Sequence, residues 1–187
     1  MKKVLFSLAL VVAGSAVFAQ TEKGKWTVGA GSNALFATSK VADADNDTRI
    51  TSFNIAPDAG YFFADNFAGG LRLDLSTSKM KGADEGSTDF TAAPFLRYYF
   101  LKPTSKKINI FADASYGFGT RKSALADNAN GINEFTIQAG PAFWLNEKIA
   151  IDATLAYNSQ GGEGIDNRFN TIGLNFGFRL SLGNAKK

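Results

Sequence analysis

Large apolar residues alternate strictly with small or polar ones along the last part of the chain, from Thr171 to Leu182. Successive side chains of a β-strand point to opposite faces, so alternation over about twelve residues predicts one long strand with two different faces. Its apolar face consists of Ile172, Leu174, Phe176, Phe178, Leu180 and Leu182. The other face consists of Thr171, Gly173, Asn175, Gly177, Arg179 and Ser181.

The same alternation recurs in seven earlier stretches, so eight strands are predicted. The first, Lys25–Ala37, changes parity near Asn33, which predicts a β-bulge there. Pro57, Pro94 and Pro141 lie inside predicted strands, and because proline cannot donate a ladder hydrogen bond, we expect bulges or local breaks at these positions. The other strands are Arg49–Phe63, Phe67–Thr77, Asp89–Phe100, Ile108–Arg121, Glu134–Leu145 and Lys148–Asn158.

The connections between these strands alternate in length. Short links fall at residues 64–66, 101–107 and 146–147, whereas longer polar links fall at 38–48, 78–88, 122–133 and 159–168. Short turns at one rim, long loops at the other and strands of about ten residues are typical of an outer-membrane barrel. The prediction is therefore an all-β, eight-stranded, antiparallel, up-and-down transmembrane β-barrel. An even number of strands brings both termini to the short-turn side, which we expect to face the periplasm.

Alternation also fits a soluble eight-stranded calyx whose apolar face points inward around a ligand. The other face would then be a water-exposed surface rich in Lys and Glu. Here that face is dominated by Gly, Ala, Ser, Thr and Asn, and most lysines fall in the links. Aromatic residues of the apolar face gather at strand ends, as they do at lipid interfaces. They are Trp26, Tyr61, Phe67, Tyr98, Phe100 and Phe143 towards one rim and Phe90, Tyr116, Phe118, Phe135 and Tyr157 towards the other.

The beginning of the chain has the pattern of a secretory signal peptide. Lys2 and Lys3 precede an apolar run, Val4–Val12, and small residues lead to Ala19. The run is shorter than the roughly 20 residues that span a bilayer, which argues against a membrane anchor. We therefore expect a signal peptide over residues 1–19, cut after Ala19, and a barrel domain over 20–187.

Composition narrows the function classes. The chain has 20 Lys and Arg against 17 Asp and Glu, and the signal peptide carries two of the lysines, so the mature chain is close to neutral and no nucleic-acid partner is indicated. It has no cysteine, so stability must come from packing and backbone pairing. It also has no histidine, which excludes Ser-His and Asp-His catalysis. We therefore expect no enzyme.

No cofactor is expected, because zinc and phosphate-loop spacings are missing. Asp43, Asp45 and Asp47 have the spacing that opens a calcium loop. Thr48 and Asn54 stand where that loop needs Gly and Glu, so no metal site is predicted.

Strand parity places several charges on the inner face of the predicted barrel. Because buried charges are costly unless paired, we predict one connected network in the periplasmic half that plugs the lumen, with a narrow gated path for ions as the alternative. The network consists of Arg72, Arg97, Arg179, Asp58, Asp74, Asp113 and Asp152. Phe95, Tyr99, Phe111 and Trp144 are predicted to fill the lumen further.

Basic residues also gather near the predicted outer rim, where lipopolysaccharide phosphates would lie. They are Arg49, Lys79, Lys81, Arg121, Lys122 and Arg168.

Two segments carry a family resemblance: Pro57–Phe63 leading through Ala64–Asn66 into Phe67, and the final strand. With these, the mature chain resembles the small outer-membrane barrels of the OmpA, OmpX and OmpW type, and most of all the stand-alone barrels of Bacteroidetes-like bacteria. The resemblance implies a monomer in a Gram-negative outer membrane, in contact with membrane lipids and lipopolysaccharide. It also implies that barrel-insertion machinery reads an assembly signal formed by Asn175, Gly177, Leu180 and Leu182. Many relatives end on an aromatic residue, whereas Gly183–Lys187 follow here.

Two functions remain open at this stage. One is a structural or surface-interaction barrel that anchors in the outer membrane and presents its loops. The other is a narrow porin-like conduit for ions or small solutes, with hydrophobic solutes leaving sideways as in OmpW-like proteins. A lateral gap near Pro94 and Pro141 would favour the conduit, and a sealed wall there would favour the anchor.

Overall fold

The computed structural model describes residues 21–32, 36–40, 49–83, 85–101, 107–123, 128–163 and 167–183. The predicted signal peptide, the parity change at Asn33 and the three aspartates of the calcium-like spacing lie outside these residues.

All regular structure in the described part is β-strand, which confirms the predicted fold class. The strands form one antiparallel sheet in the order β1-β9-β8-β7-β6-β5-β4-β3-β2, and β1 also pairs with β3, which closes the barrel. β1 and β2 are successive parts of the first predicted strand, so the wall has eight strands. The bounds are β1 Trp26–Ser32, β2 Phe36–Lys40, β3 Arg49–Ala64, β4 Phe67–Met80, β5 Ser87–Tyr99, β6 Ile108–Lys122, β7 Ala129–Trp144, β8 Ile149–Gly162 and β9 Phe169–Leu182.

Strand pairing fixes the stagger of the barrel. A path that starts at Leu182 and follows directly opposed residues around the wall returns to β9 at Ile172, ten residues further up the strand. A shear of this size tilts the strands against the barrel axis. The opposed residues on this path are Leu182, Trp26, Tyr61, Gly69, Leu96, Ala114, Ile137, Tyr157 and Ile172.

The two faces of the wall follow the predicted parity. On β9, Ile172, Leu174 and Phe178 point outward and are more than half exposed, whereas Arg179 and Ser181 are buried inside. Aromatic rings gather on the outer face near the short turns, where Trp26 and Tyr61 lie 5.2 Å apart and Phe63, Phe67, Tyr98 and Phe100 form a chain of neighbouring rings. Tyr116 and Phe118, 5.0 Å apart, lie towards the opposite rim. The barrel therefore has an apolar outer belt with an aromatic border at each end.

Of the bulges or local breaks expected at the prolines, bulges do not occur, because the register is the same on both sides of Pro57, Pro94 and Pro141. What occurs is a local break: each proline and the residue before it lack a pair on one side, and the ladder on the other side is continuous. The missing N–H explains this pattern. The register shift that does occur in β3 lies at Phe62 to Ala64, next to the short turn.

Several strands are longer than predicted, and mostly at the long-loop rim. β4 continues to Met80, β7 already begins at Ala129 and β8 extends to Gly162. Beyond the apolar belt both faces of a strand meet polar surroundings, so the alternation of apolar and polar residues stops there although the strand continues. Backbone pairing does not depend on that alternation and continues further.

Candidate functional site

Three arginines and three aspartates form a connected ion-pair network inside the barrel. Asp113 of β6 lies at one end of it and is almost completely buried. Its Oδ1 and Oδ2 accept hydrogen bonds from both terminal nitrogens of Arg72, at 3.1 and 2.9 Å, and Oδ2 also accepts one from Arg97 Nε at 3.0 Å. Gln138 Nε2 donates to Asp113 Oδ1 at 3.2 Å. This carboxylate therefore joins β4, β5 and β7 to β6.

The other end of the network connects the last strand with the third. Arg179 donates from Nη1 to Asp58 Oδ1 at 2.8 Å and from Nη2 to Asp58 Oδ2 at 3.1 Å, a bidentate arrangement that passes over β1. Asp152 Oδ2 joins the two ends, because it accepts from Arg97 Nη1 at 2.9 Å and from Arg179 Nε at 3.2 Å. Its Oδ1 is buried without a hydrogen-bond partner among the described residues.

An aromatic layer lies against the network on the short-turn side. Phe62, Tyr99 and Phe111 are fully buried and pack together. The ring centroids of Phe62 and Tyr99 lie 5.9 Å apart, and those of Tyr99 and Phe111 lie 5.6 Å apart. Arg97 joins the two layers, since its guanidinium lies 4.1 Å above the centre of the Phe111 ring. Trp144 is buried as well, so the predicted inward aromatics of this half do fill the lumen. Phe95 lies beside the network instead, with Arg72 5.0 Å from its ring centre.

Asp74 is the one predicted member that does not join the network by an ion pair within the described residues. It lies on the same face of β4 as Arg72, but Arg72 directs both terminal nitrogens to Asp113. Asp74 accepts instead from Asn54 Nδ2, at 3.1 and 3.3 Å. The expectation of a single layer of seven charges was therefore wrong in this detail.

Arg121 lies at the long-loop end of β6, as expected, but it does not face the outer surface. Arg121 points into the lumen, where it pairs with Asp89 of the neighbouring strand and donates to Gln160 Oε1 of β8. The parity of β6 would have revealed this, since its odd positions face inward. Lys79, Lys81 and Lys122 are exposed near the long-loop rim as expected. Arg168 is exposed and donates to Ser159 and to Asn133 Oδ1, and the side chain of Arg49 lies outside the described part.

A cavity of about 400 Å³ occupies the long-loop half of the lumen. Its floor is the ion-pair network together with Phe111, and its wall is polar. Sequence reasoning missed the contribution of Glu134 and Asp89, although parity assigns both to the inner face. The polar wall includes Asn54, Asp74, Ser76, Asp89, Glu134, Thr136, Gln138, Asn158, Gln160, Thr171 and Asn175.

The predicted assembly-signal residues lie where the barrel closes. Leu180 and Leu182 stand opposite Val28 and Trp26 of β1. Gly177 stands opposite Gly31, and a Cβ at Gly177 would lie only 2.9 Å from the carbonyl oxygen of Ala30. Asn175 points inward and donates to Gln138 Oε1 at 3.4 Å. These positions describe closure geometry, and recognition by insertion machinery stays a prediction.

The described ranges contain no helix that is long and apolar enough to cross a membrane. They also contain no group of three or more His, Cys, Asp or Glu side chains arranged to hold a metal ion.

Comparison with known proteins identifies the family. The sequence profile described as "Outer membrane protein beta-barrel domain" matches residues 5–179. Among solved structures, Neisserial surface protein A superposes with a TM-score of 0.56 at 15% identity, over 83% of this chain and 95% of that one, which shows a shared fold. OprG from Pseudomonas aeruginosa gives a TM-score of 0.49 at 15% identity, over 88% and 99% of the two chains. No curated protein matches the chain. The chain belongs to the family of outer membrane protein β-barrel domains.

Proposed function

We propose that this outer-membrane barrel has a structural or surface-interaction role and that its lumen does not conduct. The observation that carries the proposal is the double seal of the short-turn half. The Arg–Asp network lies directly on the aromatic layer of Phe62, Tyr99 and Phe111. The side chains of both layers are buried except that of Arg72, which is 12% exposed. Eight strands leave an interior just wide enough for side chains to fill, so two stacked layers of side chains are expected to block a hydrated ion.

The segment before β1 adds to the closure at the same end. Thr21 is completely buried and donates from its hydroxyl to Asn66 Oδ1 in the first short turn. Asn66 N–H donates to the carbonyl oxygen of Thr21 at 2.7 Å, and Gly24 N–H donates to that of Phe62 at 2.8 Å. Residues 21–24 therefore run alongside the end of β3 as far as the first short turn, next to Phe62 of the seal.

With the lumen closed, the surfaces left for function are the apolar belt and the long-loop rim. We expect the long-loop rim to face the outside of the cell and the termini to face the periplasm, as the family's topology implies. The proposed role is thus an anchor that presents its long loops, with no enzymatic activity. Fold analogy sets this part of the proposal, because unrelated functions share the barrel.

A porin-like conduit is the second candidate, and the cavity of about 400 Å³ is the observation that favours it. Planar-bilayer recording of the purified barrel distinguishes the two. We expect no reproducible open state for the wild type. A double variant that thins both layers, Tyr99→Ala with Arg97→Ala, serves as the positive control and is expected to conduct. A wild-type open state that changes in Arg97→Ala would overturn the closed barrel and favour the conduit.

The role in presenting loops needs a separate test. Replacing the links 123–128 and 163–168 with short turns removes two of the long loops of the proposed interaction surface and leaves the seal intact. Such a variant is expected to insert into the membrane and to show no channel current in the planar bilayer. It should fail to restore the envelope phenotype that the full-length protein restores. Full complementation by the shortened barrel would leave anchoring as the role and contradict loop presentation.

A further inference from the structure

Two carboxylates in the lumen form no ion pair with a described residue. Asp74 of β4 accepts hydrogen bonds from Asn54 Nδ2, at 3.1 and 3.3 Å. Glu134 of β7 accepts one from Asn158 Nδ2, at 3.4 Å. An ionised carboxylate has about four acceptor positions, so a single amide donor leaves most of them unused. Both side chains line the cavity on the long-loop side of the ion-pair network.

The other described charges of the lumen compensate one another. The network contains three arginines and three aspartates, and Asp89 pairs with Arg121. Arg72 lies two residues before Asp74 on the same face, but it directs both terminal nitrogens to Asp113. The negative charges of Asp74 and Glu134 are therefore left without a counter-charge in the described part of the barrel. Charges inside a protein are costly unless they are paired.

Gly117 of β6 allows these two carboxylates to lie close together. Asp74 stands opposite Thr91 of β5, and Glu134 stands opposite Gly117. A Cβ on Gly117 would lie 2.6 Å from Thr91 Cγ2 and 3.3 Å from Glu134 Cγ. Because Gly117 has no side chain, Thr91 and Glu134 both lean over it. The side chain of Thr91 therefore lies between Glu134 and Asp74 on the inner face of the wall.

The floor of the cavity has a further unused acceptor. Asp152 lines the cavity and is only 6% exposed. Its Oδ2 accepts from Arg97 and Arg179, whereas its Oδ1 is buried without a hydrogen-bond partner among the described residues. A buried acceptor without a donor is unfavourable, so a bound molecule that brings N–H or O–H groups stabilises this cavity.

The arrangement of the two free carboxylates favours an organic dication. Each carboxylate is held by its own asparagine, and Thr91 lies between them, so the two negative charges are separate and do not converge on one point. Two separate charges match a ligand with two separate cationic groups. An ammonium group is a compact charge with three N–H donors and no acceptor, which suits a wall rich in acceptors. The volume of about 400 Å³ accommodates a small organic molecule.

We propose that the cavity binds a linear organic diammonium ion, with one ammonium group at Asp74 and the other at Glu134. The chain between the two groups passes over Thr91, and the hydroxyl groups of Ser76 and Thr136 line the same space. The site is formed by side chains of β3, β4, β5, β7 and β8. It goes beyond the anchoring role and needs no path through the seal.

The test is isothermal titration calorimetry of the purified barrel in octyl glucoside with 1,4-diaminobutane. Butylamine, which has the same chain and one ammonium group, is the matched monovalent probe. The ionic strength is about 0.15 M, where interactions between exposed charges are largely screened. We expect one diamine to bind per barrel, and butylamine to bind at least about tenfold more weakly.

Variants of the two carboxylates make the test specific. Asp74→Asn and Glu134→Gln are each expected to weaken diamine binding about tenfold and to bring it close to the affinity for butylamine. Gly117→Ala is expected to weaken it without a change of charge, because the added Cβ displaces Thr91 or Glu134. Glu163→Gln is the matched control, since it removes the same charge from an exposed carboxylate outside the cavity lining, and it should leave the affinity unchanged.

Several outcomes would overturn the proposal. Equal affinities for diaminobutane and butylamine would show that two charges are not recognised together. Unchanged binding in both Asp74→Asn and Glu134→Gln, or an equal loss in Glu163→Gln, would place the diamine elsewhere. Full displacement of the diamine by an equal concentration of magnesium chloride would assign the carboxylates to metal ions. None of these results depends on whether the barrel conducts, so the closed lumen is tested separately.

Discussion

Replacement of Arg97 by Met tests how much the buried network stabilises the barrel. Arg97 is 3% exposed and bonds to Asp113 at 3.0 Å and to Asp152 at 2.9 Å. Methionine keeps most of the side-chain volume over Phe111 but leaves three carboxylates facing two arginines. Removing one partner of a buried ion pair costs about 3–5 kcal/mol. Because Asp113 keeps Arg72 and Asp152 keeps Arg179, we expect a loss at the lower end, about 3 kcal/mol.

The measurement is equilibrium urea unfolding in lipid vesicles, followed by tryptophan emission. Arg121→Met is the matched control, since its pair with Asp89 is partly exposed, with 29% of the Arg121 side chain accessible, and is worth at most about 1 kcal/mol after solvent screening. Adding Asp152→Asn to Arg97→Met removes one excess charge and should recover about 1–2 kcal/mol relative to the sum of the single losses. Equal losses in Arg97→Met and Arg121→Met, or strict additivity in the double variant, would refute the view that these charges stabilise each other.

Three further predictions concern the wall and the rim. Gly140→Ala should destabilise by more than about 2 kcal/mol because its Cβ would meet the Ala153 carbonyl at 2.0 Å, whereas Gly173→Ala should be within about 0.5 kcal/mol of wild type in the same urea assay. Gly177→Val should slow barrel closure, since its Cβ would lie 2.9 Å from the Ala30 carbonyl; gel mobility of unheated samples during folding measures this, and an unchanged rate would count against a closure role. Changing Lys79, Lys81 and Lys122 together to Gln should lower co-purifying lipopolysaccharide, whereas Arg121→Gln should not; equal retention in all variants would remove the proposed rim contact.

Strand number, face and approximate bounds could be predicted because an apolar belt imposes a period of two on every strand that crosses it. The same parity identified six charges that do meet in the lumen. Parity cannot predict which charges form pairs. The pairs depend on the shear of the barrel and on which guanidinium nitrogens already donate to another carboxylate. Asp74 shows this. It shares a face of β4 with Arg72, yet Arg72 reaches past β5 and bonds to Asp113 of β6.

At Pro57, Pro94 and Pro141 the sequence left bulges and local breaks open. The structure has local breaks, because a wall strand can lose pairing on one side and keep its register through the other neighbour.

The bidentate contact between Arg179 and Asp58 makes the register of the closing strand, β9, depend on one side chain. If β9 slid by two residues along β1, Arg179 would move by about 7 Å and lose Asp58. If it slid by one residue, the guanidinium would turn towards the lipid, where a charge costs several kcal/mol. Both misalignments are thus penalised by a single side chain, and the apolar residues of β9 alone would penalise only the second. A barrel that lacks Arg179 should close just as readily, but in more than one alignment.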